Sequence, residues 1–156
     1  MDITATIRRI AAILRTVDPA PEAPPMTVYE DPKGAISLGE FPCIVIGLSP
    51  RATHKVGFQG GDIGRHTYTL GIWVLVGAMS ASKLPELHSR ILPWPLAIAT
   101  ALMADIRLGG TIDQLGDTSS DDFLTYTIGP INWGKEEYFG VSIDLGVQEK
   151  PAIAVG

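Results

Sequence analysis

The chain has 156 residues and a mass of 16.7 kDa, enough for one domain that buries about two-thirds of its unfolded-chain surface without a metal or a disulfide. Hydrophobic residues make up 46% and charged residues 19%, against about 25% charged in ordinary soluble domains, which excludes a disordered chain and points to surface covered by a partner. The net charge of −5 argues against general nucleic-acid binding, which needs a basic face, and a single cysteine excludes an intramolecular disulfide framework or a multi-cysteine zinc site.

The charge is uneven. Residues 1–104 carry nine basic and eight acidic groups, whereas residues 105–156 carry three basic and nine acidic. Self-assembly can use such an asymmetry. No apolar run reaches about 18 residues, so no transmembrane helix is expected. The amphipathic N-terminus does not read as a signal sequence, and the expectation is a protein kept in the cytosol.

In chain order, Ile3, Ile7, Ile10 and Leu14 recur at helical steps and Val17 continues the stripe, predicting a helix over 1–17. Pro19, Pro21, Pro24 and Pro25 make 18–26 an extended link. Thr27 to Glu30 reads as a short strand. Phe41 to Ser49, FPCIVIGLS, is a continuous apolar run and reads as a buried strand. Residues 50–64 lose all periodicity and are expected to form a mobile arm. Arg65 to Ala78 is the longest strand, with Tyr68, Leu70, Ile72, Val74 and Val76 on one face and Thr67, Thr69 and Trp73 on the other.

A helix is expected from Leu84, with Pro85 and Glu86 in its first turn. Pro93 and Pro95 interrupt it. A second helix over 96–108 is read from one stripe, Leu96, Ala99, Leu102, Met103 and Ile106, and stops at Gly109-Gly110. Short strands follow at 111–117, 123–131 and 138–147, the last with Phe139, Val141, Ile143, Leu145 and Val147 facing one way. Residues 148–156 read as a flexible tail. The order predicts one α+β domain: an antiparallel sheet of about four to five strands, two main helices packed on it, and a long β-hairpin excursion.

Chemical motifs are sparse. There is no Walker A sequence, no H-E-x-x-H and no nucleophile elbow. Gly57, Gly60, Gly61 and Gly64 do not make G-x-G-x-x-G, and no helix follows to cradle a phosphate. Cys43 sits in an apolar run without a basic neighbour and reads as a small buried hydrophobe. His54, His66 and His88 lack ligand spacing, and Asp121-Asp122 reads as a polar turn. No catalytic residue, cofactor or metal is therefore assigned.

The arm carries the most information. Arg51, His54, Lys55, Phe58 and Arg65 make a basic segment with one aromatic anchor, opposed only by Asp62. They are the candidate partner-binding residues. An arm of this kind orders on a partner of matching charge. Ile7, Ile10, Leu14, Trp73 and Trp133 are the candidate subunit-packing residues.

From Trp94 onward the chain runs through LMADIRLGGTID, an acidic turn, Tyr126, IGPINWG and EEYFGVSIDLGV. Before it come an amphipathic helix, a proline-rich link, FPCIVIGLS and YTLGIWVLVGA. In this order of pieces the sequence resembles the small tail-terminator and neck proteins of long-tailed bacteriophages. The resemblance implies a non-catalytic subunit that assembles in the host cytoplasm into a homo-oligomeric ring, usually a hexamer, within the virion neck. Such a ring caps the tail-tube protein and docks to the head connector. DNA passes through its lumen without being read, and no membrane is involved. Head-completion and tail-tube components belong to the same assemblies. A small ligand-binding domain, or a monomeric adaptor acting through the arm, are the readings from other classes.

Overall fold

The computed structural model describes residues 3–20, 22, 25, 27–30, 41–49, 55–59, 62–79, 84–116, 123–133 and 136–149. Helix α1 (Ile3–Leu14) forms on the expected stripe: Thr6, Ile10, Ala11 and Leu14 are buried, and Ile3, Ile7 and Ile13 pack partly against the same core. It ends before Val17, because the Thr16 and Val17 amides turn onto the Ile13 and Leu14 carbonyls three residues back. Val17 is still buried.

The sheet contains β1 (Thr27–Tyr29), β2 (Cys43–Leu48), β3 (Lys55–Gln59), β4 (Asp62–Ala78), β5 (Gln114–Leu115), β6 (Leu124–Trp133) and β7 (Glu136–Glu149). Its centre is the long antiparallel pair β4 and β7, in register from His66 opposite Glu149 to Ala78 opposite Tyr138. Along one side of β4 lie β2 and β3, end to end, paired with residues 70–75 and 62–67. Along the far side of β7 lie β6 and β5, paired with residues 136–145 and 147–148. β1 runs parallel to β2 and is, among the described residues, the one exception to an antiparallel ladder. The five-strand path β1-β2-β4-β7-β5 is mixed and open, and the fold is α+β as expected.

Helices α1, α2 (Leu84–Ile91) and α3 (Trp94–Met103) cover one face. Leu70, Ile72, Val74 and Val76 of β4 and Phe139, Val141, Ile143, Leu145 and Val147 of β7 face them, which is the alternation read from the sequence. β2 is buried on both sides: Ile44 and Ile46 toward the helices, Cys43 and Val45 toward a smaller cluster on the opposite face. A bulge on β4 between Leu75 and Gly77 turns Ala78 to that smaller cluster, where it meets Tyr138, which faces there by the alternation of β7.

Three expectations are corrected. The arm is not without secondary structure: residues 55–59 and 62–64 are strand, because the β4 ladder continues past Arg65. The second helix begins at Trp94, with Pro95 in its first turn where no amide is needed, and ends at Met103 rather than Leu108. The tail begins later than 148, since Gln148 pairs with both Thr67 and Gln114 in the sheet. Residues 150–156 lie outside the described residues.

Candidate functional site

The arm residues fall in two groups. Arg51 and His54 lie outside the described residues. Lys55 stands opposite Thr67, Gly57 opposite Arg65, and Phe58 falls at the register shift between Gly57 and Gln59. His66 is held between Val56 and Glu149 in the ladder. Gly60-Gly61, a two-glycine step between paired Gln59 and Asp62, is the hairpin signal that sequence reading passed over.

The subunit-packing residues are also divided. Ile10 and Leu14 are completely buried in the chain's own core, and Ile7 packs partly against it. That helix face is therefore used within the chain, packing on the body. Trp73 and Trp133 are partly buried on the opposite side of the sheet, ring centroids 5.4 Å apart and edge to face. The Trp73 indole lies over Gly71, where a Cβ would come within 2.5 Å of it. Beside this aromatic end the same face turns polar: the Ser49 hydroxyl donates to Asp144 Oδ1 at 2.8 Å, and Ser142 and Asp144 are partly exposed.

A groove of about 800 Å³ runs between α1 and α3, lined by small residues such as Ala12, Ala97 and Ala101 together with Ile13 and Leu96. Two charges in its wall, Arg9 and Asp105, are engaged with each other. Arg9 Nε and Nη2 donate to Asp105 Oδ2 at 3.0 and 2.9 Å, while the Gly109 amide donates to Oδ1 at 3.0 Å. The Gly109 amide is the main reason that the Asp105 carboxyl is held below its ordinary value. Partial burial works against that effect, and the hydrogen bond and charge of Arg9 reinforce it. The clasp ties α1 to the turn that follows α3. Gly109 occupies that turn at φ +67°.

The feature missed in the sequence is the outer side of α3. Leu96, Met103 and Ile106, read as a core stripe, are exposed, as is Leu92; of the expected stripe only Leu102 is fully buried. Trp94, Pro95 and Ile98 join Leu102 on the buried face. Nine of the ten residues in WPLAIATALM are apolar, so periodicity cannot distinguish the inner stripe from the outer one.

Among the described residues, no three histidine, cysteine or carboxylate side chains converge as a metal site, and no helix is long and apolar enough to cross a membrane. No protein-family model and no curated protein matches the sequence.

Proposed function

We propose that the chain is a non-catalytic virion protein of a long-tailed bacteriophage, a tail terminator whose copies close into a ring over the end of the tail tube. The ring is hexameric in the proteins the sequence resembles, offers a face to the head connector, and lets DNA pass without reading it. It assembles in the host cytoplasm and resides in the neck. The observation that carries this reading is the open sheet with two unlike edges. One edge is made by the three-residue parallel strand β1, with β3 in line with β2 on β4, and the other by the ten-residue strand β6, which among the described residues pairs only with β7, with the two-residue strand β5 beside it. Two different surfaces on one subunit make head-to-tail contacts, and these close into a ring when the rotation allows.

α1 lies against β1 and β2 and exposes Arg8, with Arg15 paired to Glu30 at 3.5 Å, whereas the edge strand β6 carries no charged residue and Glu136 and Glu137 are exposed at the start of β7. Arg51, His54, Lys55, Phe58 and Arg65 are proposed to reach the neighbouring subunit or the next tail component, with Trp73 and Trp133 in the subunit contact.

Complementation in the parent phage tests the reading. Without the gene, tails should overrun their length or fail to join heads, and the wild-type chain should restore them. An Arg51→Glu, Lys55→Glu double variant should restore fewer joined particles, and when purified parts are joined in vitro the deficit should be largest at low ionic strength and shrink as salt screens the contact. Normal tails joined to heads in the absence of the gene would overturn the proposal.

A further inference from the structure

Helix α3 carries two apolar stripes. Trp94, Ile98 and Leu102 turn into the core. Leu92, Leu96, Met103 and Ile106 are 55%, 73%, 52% and 55% exposed, and Ala99, between them, is partly exposed. The outer residues advance by four, three, four and three positions, the alternation with which one helix packs along another. Both caps of α3, Pro93 and Ala104, keep helical φ and ψ, so Leu96, Ala99 and Met103 share one line, with Leu92 and Ile106 flanking it in the adjoining turns. A helix that is apolar all round is normally buried all round.

We infer that a second copy of this chain covers the stripe, by antiparallel two-fold pairing of α3 with α3. The spacing is nearly symmetric about Ala99. Leu96 and Met103 lie three before and four after it, and Leu92 and Ile106 lie seven before and seven after. A two-fold axis at Ala99 sets Leu96 of one copy against Met103 of the other, and Leu92 against Ile106. Large apolar side chains then meet large ones, with a small residue at the crossing. A foreign helix would have to bring a matching stripe, whereas a second copy already carries one.

Area and charge agree with this occupant. Four large side chains, each more than half exposed, present on the order of 400 Å² of apolar surface. That is close to the apolar share, roughly 57%, of the about 800 Å² each partner contributes to a standard interface. Residues 94–103 contain no charged side chain, so no like charges are opposed along the seam. The pairing goes beyond ring closure, which uses the sheet edges; it joins two subunits, or two rings, face to face.

Cross-linking tests it. Ala99→Cys places a reactive thiol at the axis, while the native Cys43 is buried. A bis-maleimide of about 8 Å reach suits the 8–10 Å between packed helix axes. The expected result is a covalent dimer for Ala99→Cys, with none for the wild type or for a Ser89→Cys control on α2. Adding Leu96→Glu should cut the dimer yield at least about tenfold with an unchanged thermal melt. Met103→Glu repeats the test from the other side of the contact. An Ala99→Cys chain that stays monomeric, or a yield unmoved by both charged variants, overturns the inference. Rings in negative stain from an Ala99→Cys chain that fails to cross-link overturn this pairing alone, whereas cross-linked dimers that never form rings overturn the ring reading alone.

Discussion

Asp105 is the residue on which the helix layer is fastened. Its carboxylate accepts from Arg9 on α1 and from the Gly109 amide at once, which joins two segments 96 residues apart. Asp105→Asn keeps the shape and removes the charge, and should cost about 1–2 kcal/mol, the value of a lost charge-assisted bond that is partly solvent-screened. Because the folded carboxyl titrates below its unfolded value, the stabilisation is fully present above the unfolded value, near pH 4. It is lost as pH falls through the folded one. Urea melts of wild type and Asp105→Asn should therefore differ at pH 7 and converge as the pH falls below the ordinary carboxylate range. Gly140 is a second sensitive point. A Cβ there would overlap the Val74 carbonyl across the β4–β7 pair, so Gly140→Ala should cost about 3 kcal/mol, the upper end of overpacking penalties, in the same denaturant assay.

At the scale of elements, α1 and the central strands were legible in the sequence because each has a single apolar face. Ile10→Asp tests the first of these: a charge forced into a fully buried site should cost several kcal/mol and show as a lowered melting temperature or loss of soluble protein. β4 and β7 alternate cleanly, so their inward residues could be named. β3 could not, since Gly57 and Gly60-Gly61 dilute the alternation of KVGFQ and its partner strand begins with Asp62 and Gly64. α3 was found but rotated. With apolar residues on every side, the choice of buried stripe went to Trp94, whose bulk fills the space between helices and sheet, and no local pattern records that tertiary preference. The candidate site was read where the residues were polar and conspicuous, in the arm, whereas the outer stripe of α3 was hidden among residues that looked like core.

For the whole molecule, exposed charge is placed unevenly: Arg8 stands on α1, which lies against β1, while Glu136 and Glu137 stand at the start of β7 beside an edge strand, β6, that carries no charged residue. An open sheet with such unlike edges is suited to repeat around a closed path. The low charged fraction has a structural counterpart in the exposed Leu92, Leu96, Met103 and Ile106. The most direct test is the native mass of the purified full-length chain, measured over a range of concentrations beside negative-stain images. The expected result is rings of one size with an open lumen, single or stacked in pairs, each an integral multiple of 16.7 kDa. A monomer at every concentration, or filaments of indefinite length, would contradict the proposed role.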